Sequence, residues 1–132
     1  MTKKQKVTPL SPTDPGPLWK ELCTLLVAGL QYYDYNAKEV KRGKQVLLYH
    51  EPSNKYDARA IKIVLKEGHR MLGHVPRSLT EPIHQAKAEG CKFYCFVNQH
   101  FPGSDHTNMV WIKVKVLKPA NQHTSQGTIL IG

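Results

Sequence analysis

Long apolar runs are missing from this chain. The longest, Leu25–Leu30 (LLVAGL), falls far short of the roughly twenty residues a helix needs to cross a bilayer. No apolar stretch follows the lysines near the N-terminus, so no secretory signal is expected. Cysteine is scarce: Cys23, Cys91 and Cys95 are the whole set in 132 residues. An odd number without an export signal reads as reduced thiols in an intracellular compartment, not as a disulfide framework. The glycine-rich loops that cradle phosphate in nucleotide hydrolases and dinucleotide enzymes are also absent, which argues against both classes. Acid is short as well. Ten Asp and Glu stand against nineteen Lys and Arg, a net charge of +9.

That excess is not confined to one end. Residues 1–17 hold Lys3, Lys4 and Lys6 against Asp14, so +7 of the +9 belongs to the rest. A basic body favours an anionic partner, most often nucleic acid. The first seventeen residues carry four prolines and few large apolar groups, and they read as a disordered arm. Residues 120–132 read as a tail, with Ile129–Ile131 as a candidate edge strand. One domain over residues 18–119 is expected between them, large enough to bury its own core.

Within it, strand patterns dominate. Thr24–Gln31 reads as a first strand ending at a tyrosine pair, and Gln45–Glu51 as a second. In Ala60–Lys66, Ile61, Ile63 and Leu65 alternate with Lys62, Val64 and Lys66, which predicts one buried face. Glu67-Gly68 is a turn. Arg70–Pro76 is a short strand whose glycine marks a bulge or a close approach. A single helix follows, with Thr80 as its cap, Pro82 in its first turn, Ile83 and Ala86 facing inward and Gly90 ending it. Cys91–Val97 is a strand, residues 98–108 a loop, and Met109–Lys118 a last strand with Val110, Ile112, Val114 and Val116 on one face. The pattern predicts a mainly β fold with one or two helices, arranged as a small antiparallel OB-like β-barrel.

The chemistry on offer is thin for catalysis. Cys91, Cys95, His100 and His106 lie near one another in sequence. However, two cysteines four apart on a strand stand about 13 Å apart, the wrong geometry for a zinc knuckle. Core thiols are the better reading, and no metal or other cofactor is expected. A metal-dependent nuclease would need clustered carboxylates, and Asp34 with Glu39 and Lys41 is the only trace. A protein-interaction module with a basic face is the other alternative. Aromatics mixed with cations say more: Tyr32 and Tyr33, then Tyr56, with Lys62, His74 and Arg77 nearby. Aromatic faces stack on unpaired bases, and cations hold phosphates.

Three blocks carry a resemblance. They are VAGLQYY (Val27–Tyr33), EPSNKYDARAIKIV (Glu51–Val64) and LGHVPRSL (Leu72–Leu79). With them, the stretch from about Thr24 to Pro119 resembles the HIRAN domain family, the middle block being the most specific. The resemblance implies an oligonucleotide-binding-type barrel that binds single-stranded DNA and grips a free 3′-hydroxyl end, without catalysis of its own. HIRAN domains occur at the front of helicase-like DNA remodellers and as stand-alone proteins, so a helicase, translocase or other repair protein is the implied protein partner. Carried over, Tyr32 is the stacking tyrosine. Tyr56 and Asp57 are the pair at the terminal nucleotide, His74 is the pocket histidine, and Arg77 meets a phosphate. Asn54 and Lys62 complete the expected nucleic-acid-binding set. Gln31 departs from the pattern, standing where an arginine is expected. The family's late stacking phenylalanine has no clear counterpart; Phe101 and Trp111 are the candidates.

Overall fold

A computed structural model describes residues 16–103 and 108–119 of the chain. Its frame is one six-stranded antiparallel sheet. The strands are β1 (Lys20–Leu26), β2 (Gln45–His50), β3 (Ile61–Leu65), β4 (Arg70–His74), β5 (Lys92–Phe101) and β6 (Met109–Leu117), in the spatial order β1-β6-β5-β2-β3-β4. One α-helix, α1 (Thr80–Ala88), lies between β4 and β5 in sequence. Among the described residues the sheet does not close along its edges, and a single isolated bridge, Ala28 to His74, ties the segment after β1 to the end of β4. The result is an open, OB-like sheet curled toward closure.

The alternating patterns place the core. Val110, Ile112, Val114 and Val116 of β6 are all buried, as are Ile61, Ile63 and Leu65 of β3. Val64, on the other face of β3, is buried too, so that strand is covered on both sides. Leu25, Val46, Leu72 and Val97 join the same cluster, and Ile83 of α1 packs against it. Val40, inside what reads as a polar connection, is fully buried. Strands β2 and β5 pair only at Gln45–Phe96 and Val46–Cys95 before they separate. Ile83 and His84 of α1 line the opening this leaves, together with Leu48 and Phe93. On the opposite face, Trp19, Tyr94 and Phe96 form an aromatic row.

Three boundaries differ from the sequence reading. The first strand is Lys20–Leu26 rather than Thr24–Gln31. Gly29, in the left-handed region at φ 78°, breaks it and opens a 3-10 turn at Leu30–Tyr32. The tyrosine pair therefore sits on a turn, not on a strand end. Thr80 is not the helix cap. Leu79 holds that place, and the Thr80 hydroxyl donates back to the Arg77 carbonyl at 3.0 Å. Strand β5 continues to Phe101 instead of stopping at Val97, because β6 pairs with it all the way to Met109. Among the described residues, no helix is long and apolar enough to cross a membrane. The arm at 1–15, the tail from 120 and His106 lie outside the described residues.

Candidate nucleic-acid interface

The connection from β2 to β3 is held by side chain to backbone bonds together with three backbone to backbone bonds. Asn54 Oδ1 accepts from the backbone N–H of Tyr56 at 2.9 Å and of Asp57 at 3.1 Å. Asp57 Oδ1 accepts from the Arg59 N–H at 2.9 Å. The Glu51 N–H donates to the Ala60 carbonyl at 2.8 Å and closes the base. Asn and Asp suit such turns because their short side chains mimic the next backbone acceptor. The turn asks nothing of Tyr56, which is 81% exposed with the Lys55 amine 5.4 Å from its ring centre. From behind, two histidines hold the same loop. His50 Nε2 donates to the Ala58 carbonyl at 2.8 Å and His84 Nε2 to the Arg59 carbonyl at 2.9 Å. Arg59 is further ion-paired with Glu81 of α1.

A second wall comes from the turn after β1. Ala28 and His74 exchange both backbone hydrogen bonds, at 2.8 and 2.9 Å. Gly73 allows this approach: a Cβ there would lie 2.4 Å from the Ala28 oxygen and 2.7 Å from Val27 Cγ1. The bridge sets the Leu30–Tyr32 turn beside the end of β4. Tyr32 is 79% exposed there, while the Tyr33 ring tilts against His74 with centroids 6.2 Å apart. His74 Nε2 lies 2.8 Å from Glu51 Oε1, and Asn54 Nδ2 donates to the same oxygen at 3.3 Å. Burial by itself raises the Glu51 carboxyl. The hydrogen bonds from His74 and Asn54 and the nearby charges of His74 and Lys62 outweigh it, so its pKa falls below the ordinary value. Just past β4, Arg77 Nε stands 3.4 Å from Asp57 Oδ2, with the arginine side chain 77% exposed and the aspartate largely covered.

One chain of contacts thus joins five of the seven residues singled out from sequence. It runs from His74 through Glu51 to Asn54, and along the turn through Tyr56 and Asp57 to Arg77. Tyr32 joins them through the Ala28–His74 bridge, on the turn that follows it. Lys62 is set beside the group: it is the register partner of His74, and its amine lies 5.7 Å from the Tyr49 ring centre. One member has no role in the sequence reading: Glu51 heads its block there, although its three-residue spacing to Asn54 is a signal. Tyr33, grouped with Tyr32 among the aromatics, is the histidine's ring neighbour.

The alternatives sit elsewhere. Glu39 is committed to Arg70 at 3.0 Å. Among the described residues, no three His, Cys, Asp or Glu side chains gather as a metal site. Cys95 is buried, which pushes its thiol up to about 12, with the Cys23 charge as the smaller cause. His100 ties the loop at Val40 and Tyr35 to β5. Phe101 ends that strand 45% exposed, and Trp111 is half-buried in β6 opposite Leu26 and Gln99.

The same fold occurs in solved structures. A protein from Lactobacillus plantarum superposes with a TM-score of 0.63 at 24% identity, over 76% of this chain and 97% of that one. The HIRAN domain of human HLTF superposes with a TM-score of 0.61 at 18% identity, over 81% and 85%. At these identities the likeness speaks for the fold alone. Comparison with curated proteins found no significant match. The family model for the HIRAN domain matches residues 20–115, and the chain therefore belongs to the HIRAN domain family.

Proposed function

We propose that this nucleic-acid-binding module takes single-stranded DNA and seats a free 3′-hydroxyl end between the two turns, with no catalysis of its own. The observation that carries the reading is the contrast of exposure within one cluster. Tyr32 and Tyr56 are almost fully exposed and beside the bonded core of His74, Glu51 and Asp57. Two open aromatic faces suit unpaired bases, whose stacking is tolerant of sequence. The carboxylates beneath them suit a hydroxyl, which can donate a proton. A continuing strand or a 3′-phosphate would set an anion against Asp57 and Glu51 in a place already short of water. A role in repair or replication, beside a helicase, translocase or other repair protein, follows from the same reading.

The test is a titration of labelled single strands whose 3′ ends are free, phosphorylated or duplexed. Free ends should bind best. In Asp57→Asn the bond to the Arg59 N–H is kept while the charge is lost, so the penalty for a 3′-phosphate should shrink. Equal affinity of the wild type for all three ends would rule out end recognition.

A further inference from the structure

We infer that the strand does not stop at this pocket but continues, on its 5′ side, over a second surface made by Lys38, Lys41, Arg42 and Phe101. The inference rests on the reading just given and extends it from an end pocket to a track.

The starting point is how charge is distributed on the segment leaving the Tyr32 turn. From Ala37 to Lys44 the chain carries four cations and one acid. That acid, Glu39, is drawn away to Arg70, and Lys44 is paired with Glu67. Lys38, Lys41 and Arg42 are left exposed, and none has an acidic partner among the described residues. A loop that merely needed solubility would have no reason to be held still. This one is pinned at several points. Asn36 Oδ1 accepts from the Lys38 N–H at 2.9 Å, and His100 Nδ1 donates to the Val40 carbonyl at 2.9 Å. Val40 itself is buried, and the Gly43 N–H donates to the Val97 carbonyl at 2.8 Å. The cations are thus presented from a fixed backbone, which lowers the entropy lost when they engage a ligand.

What they flank gives the ligand its class. Lys38, Lys41 and Arg42 line a hollow whose far wall is His100 and the exposed ring of Phe101. Lys41 and Arg42 also line a second hollow on their other side, shared with Lys66. Free cations on one wall of a groove, with an aromatic face on the other, match a single strand: phosphates on the cations, a base on the ring. The segment from Leu30 to Val40 links this surface directly to the turn that carries Tyr32.

The measurement is length dependence. Affinities of a trinucleotide and a twelve-nucleotide strand, both with free 3′-hydroxyl ends, are compared between wild type and the triple variant Lys38→Gln/Lys41→Gln/Arg42→Gln. In the wild type the longer strand should bind about tenfold tighter or more, and its salt dependence should be steeper by about 2, at roughly 0.7 per phosphate engaged. The variant should hold the trinucleotide as the wild type does and lose the gain with length. Its melting temperature, unchanged, shows the loss is not unfolding. If the variant keeps the full length gain, the track is wrong, and the loop is left for an acidic protein or for solvent. A 3′-phosphorylated trinucleotide is the third probe: if both proteins bind it as well as the free-ended one, it is the pocket reading that fails, while a length gain abolished in the variant still upholds the loop.

Discussion

In the cluster between the two turns, the carboxylates and their polar neighbours are already bonded to the protein. Asn54 and Asp57 hold the turn, Glu51 holds His74, and Arg77 leans on Asp57. Along the Lys38–Arg42 loop the reverse applies, since its cations have no acidic partner among the described residues while its backbone is fixed. The two regions suit different tasks. Bonded carboxylates discriminate, because an anion that approaches them must either displace a bond or accept repulsion. Free cations attract without discriminating, and salt screens them. The pocket should therefore set which end binds, and the loop how tightly a long strand is held.

The largest separation of the two should come from Gly73→Ala. The new methyl would sit 2.4 Å from a backbone oxygen, which cannot swing aside as a side chain can. The Ala28–His74 bridge would have to open, at a cost of about 2–4 kcal/mol of stability. End discrimination should fall with it, while salt-dependent binding of long strands persists. Gly68→Ala is the control. It also has a positive φ but opens onto empty space, so only the backbone cost of about 1 kcal/mol applies. Thermal melts of both variants measure the difference. Losing both kinds of binding equally in Gly73→Ala would show that the regions are not separable.

Next in size is Tyr56→Ala, and with it Tyr32→Ala. Each removes an exposed ring, so stability should hardly change, while affinity for short strands falls by about 1–3 kcal/mol per stacked base. Unchanged affinity for a trinucleotide would remove the tyrosines from the site. Asn54→Ala should act more gently. It strips two N–H groups of their acceptor and should cost about 1 kcal/mol of stability, with weaker discrimination between 3′ ends as the turn loosens.

These expectations also show which parts of the molecule could be read from residues alone. Alternation in Met109–Leu117 and in Ile61–Leu65 gave two strands with their buried faces, because a period of two has one structural meaning there. The EPSNKYD block was legible as a turn with a surplus tyrosine, since its Asn and Asp act on neighbours in sequence. What could not be read is whatever depends on partners far along the chain. Gly29 opening the turn after β1 is a local signal, yet LLVAGLQ is apolar enough to hide it. Val40 looks like part of a polar connection until β5 arrives to bury it. The Glu51–His74 contact spans twenty-three residues, and the pairings of β2 with β3 and of β3 with β4 together bring it into being.

That contact supplies the smallest effect and the most direct view of the pocket floor. The Glu51 carboxyl titrates below its ordinary value because the charged form is bonded to His74 and Asn54 more strongly than burial disfavours it. In the unfolded chain those bonds are gone and the group returns toward about 4.3. The unfolded state therefore binds the proton more readily, so the Glu51 contribution is complete above that value and fades as pH drops through the lower, folded pKa. In Glu51→Gln the amide keeps an acceptor for His74 but cannot titrate. The variant should be slightly less stable than the wild type at neutral pH, and the gap should close as pH falls below the unfolded value of about 4.3. Melting curves across that range measure it. A gap that stays constant as the carboxyl is protonated would mean that the charge on Glu51 does not hold His74. The pocket's preference for a hydroxyl would then rest on Asp57 alone.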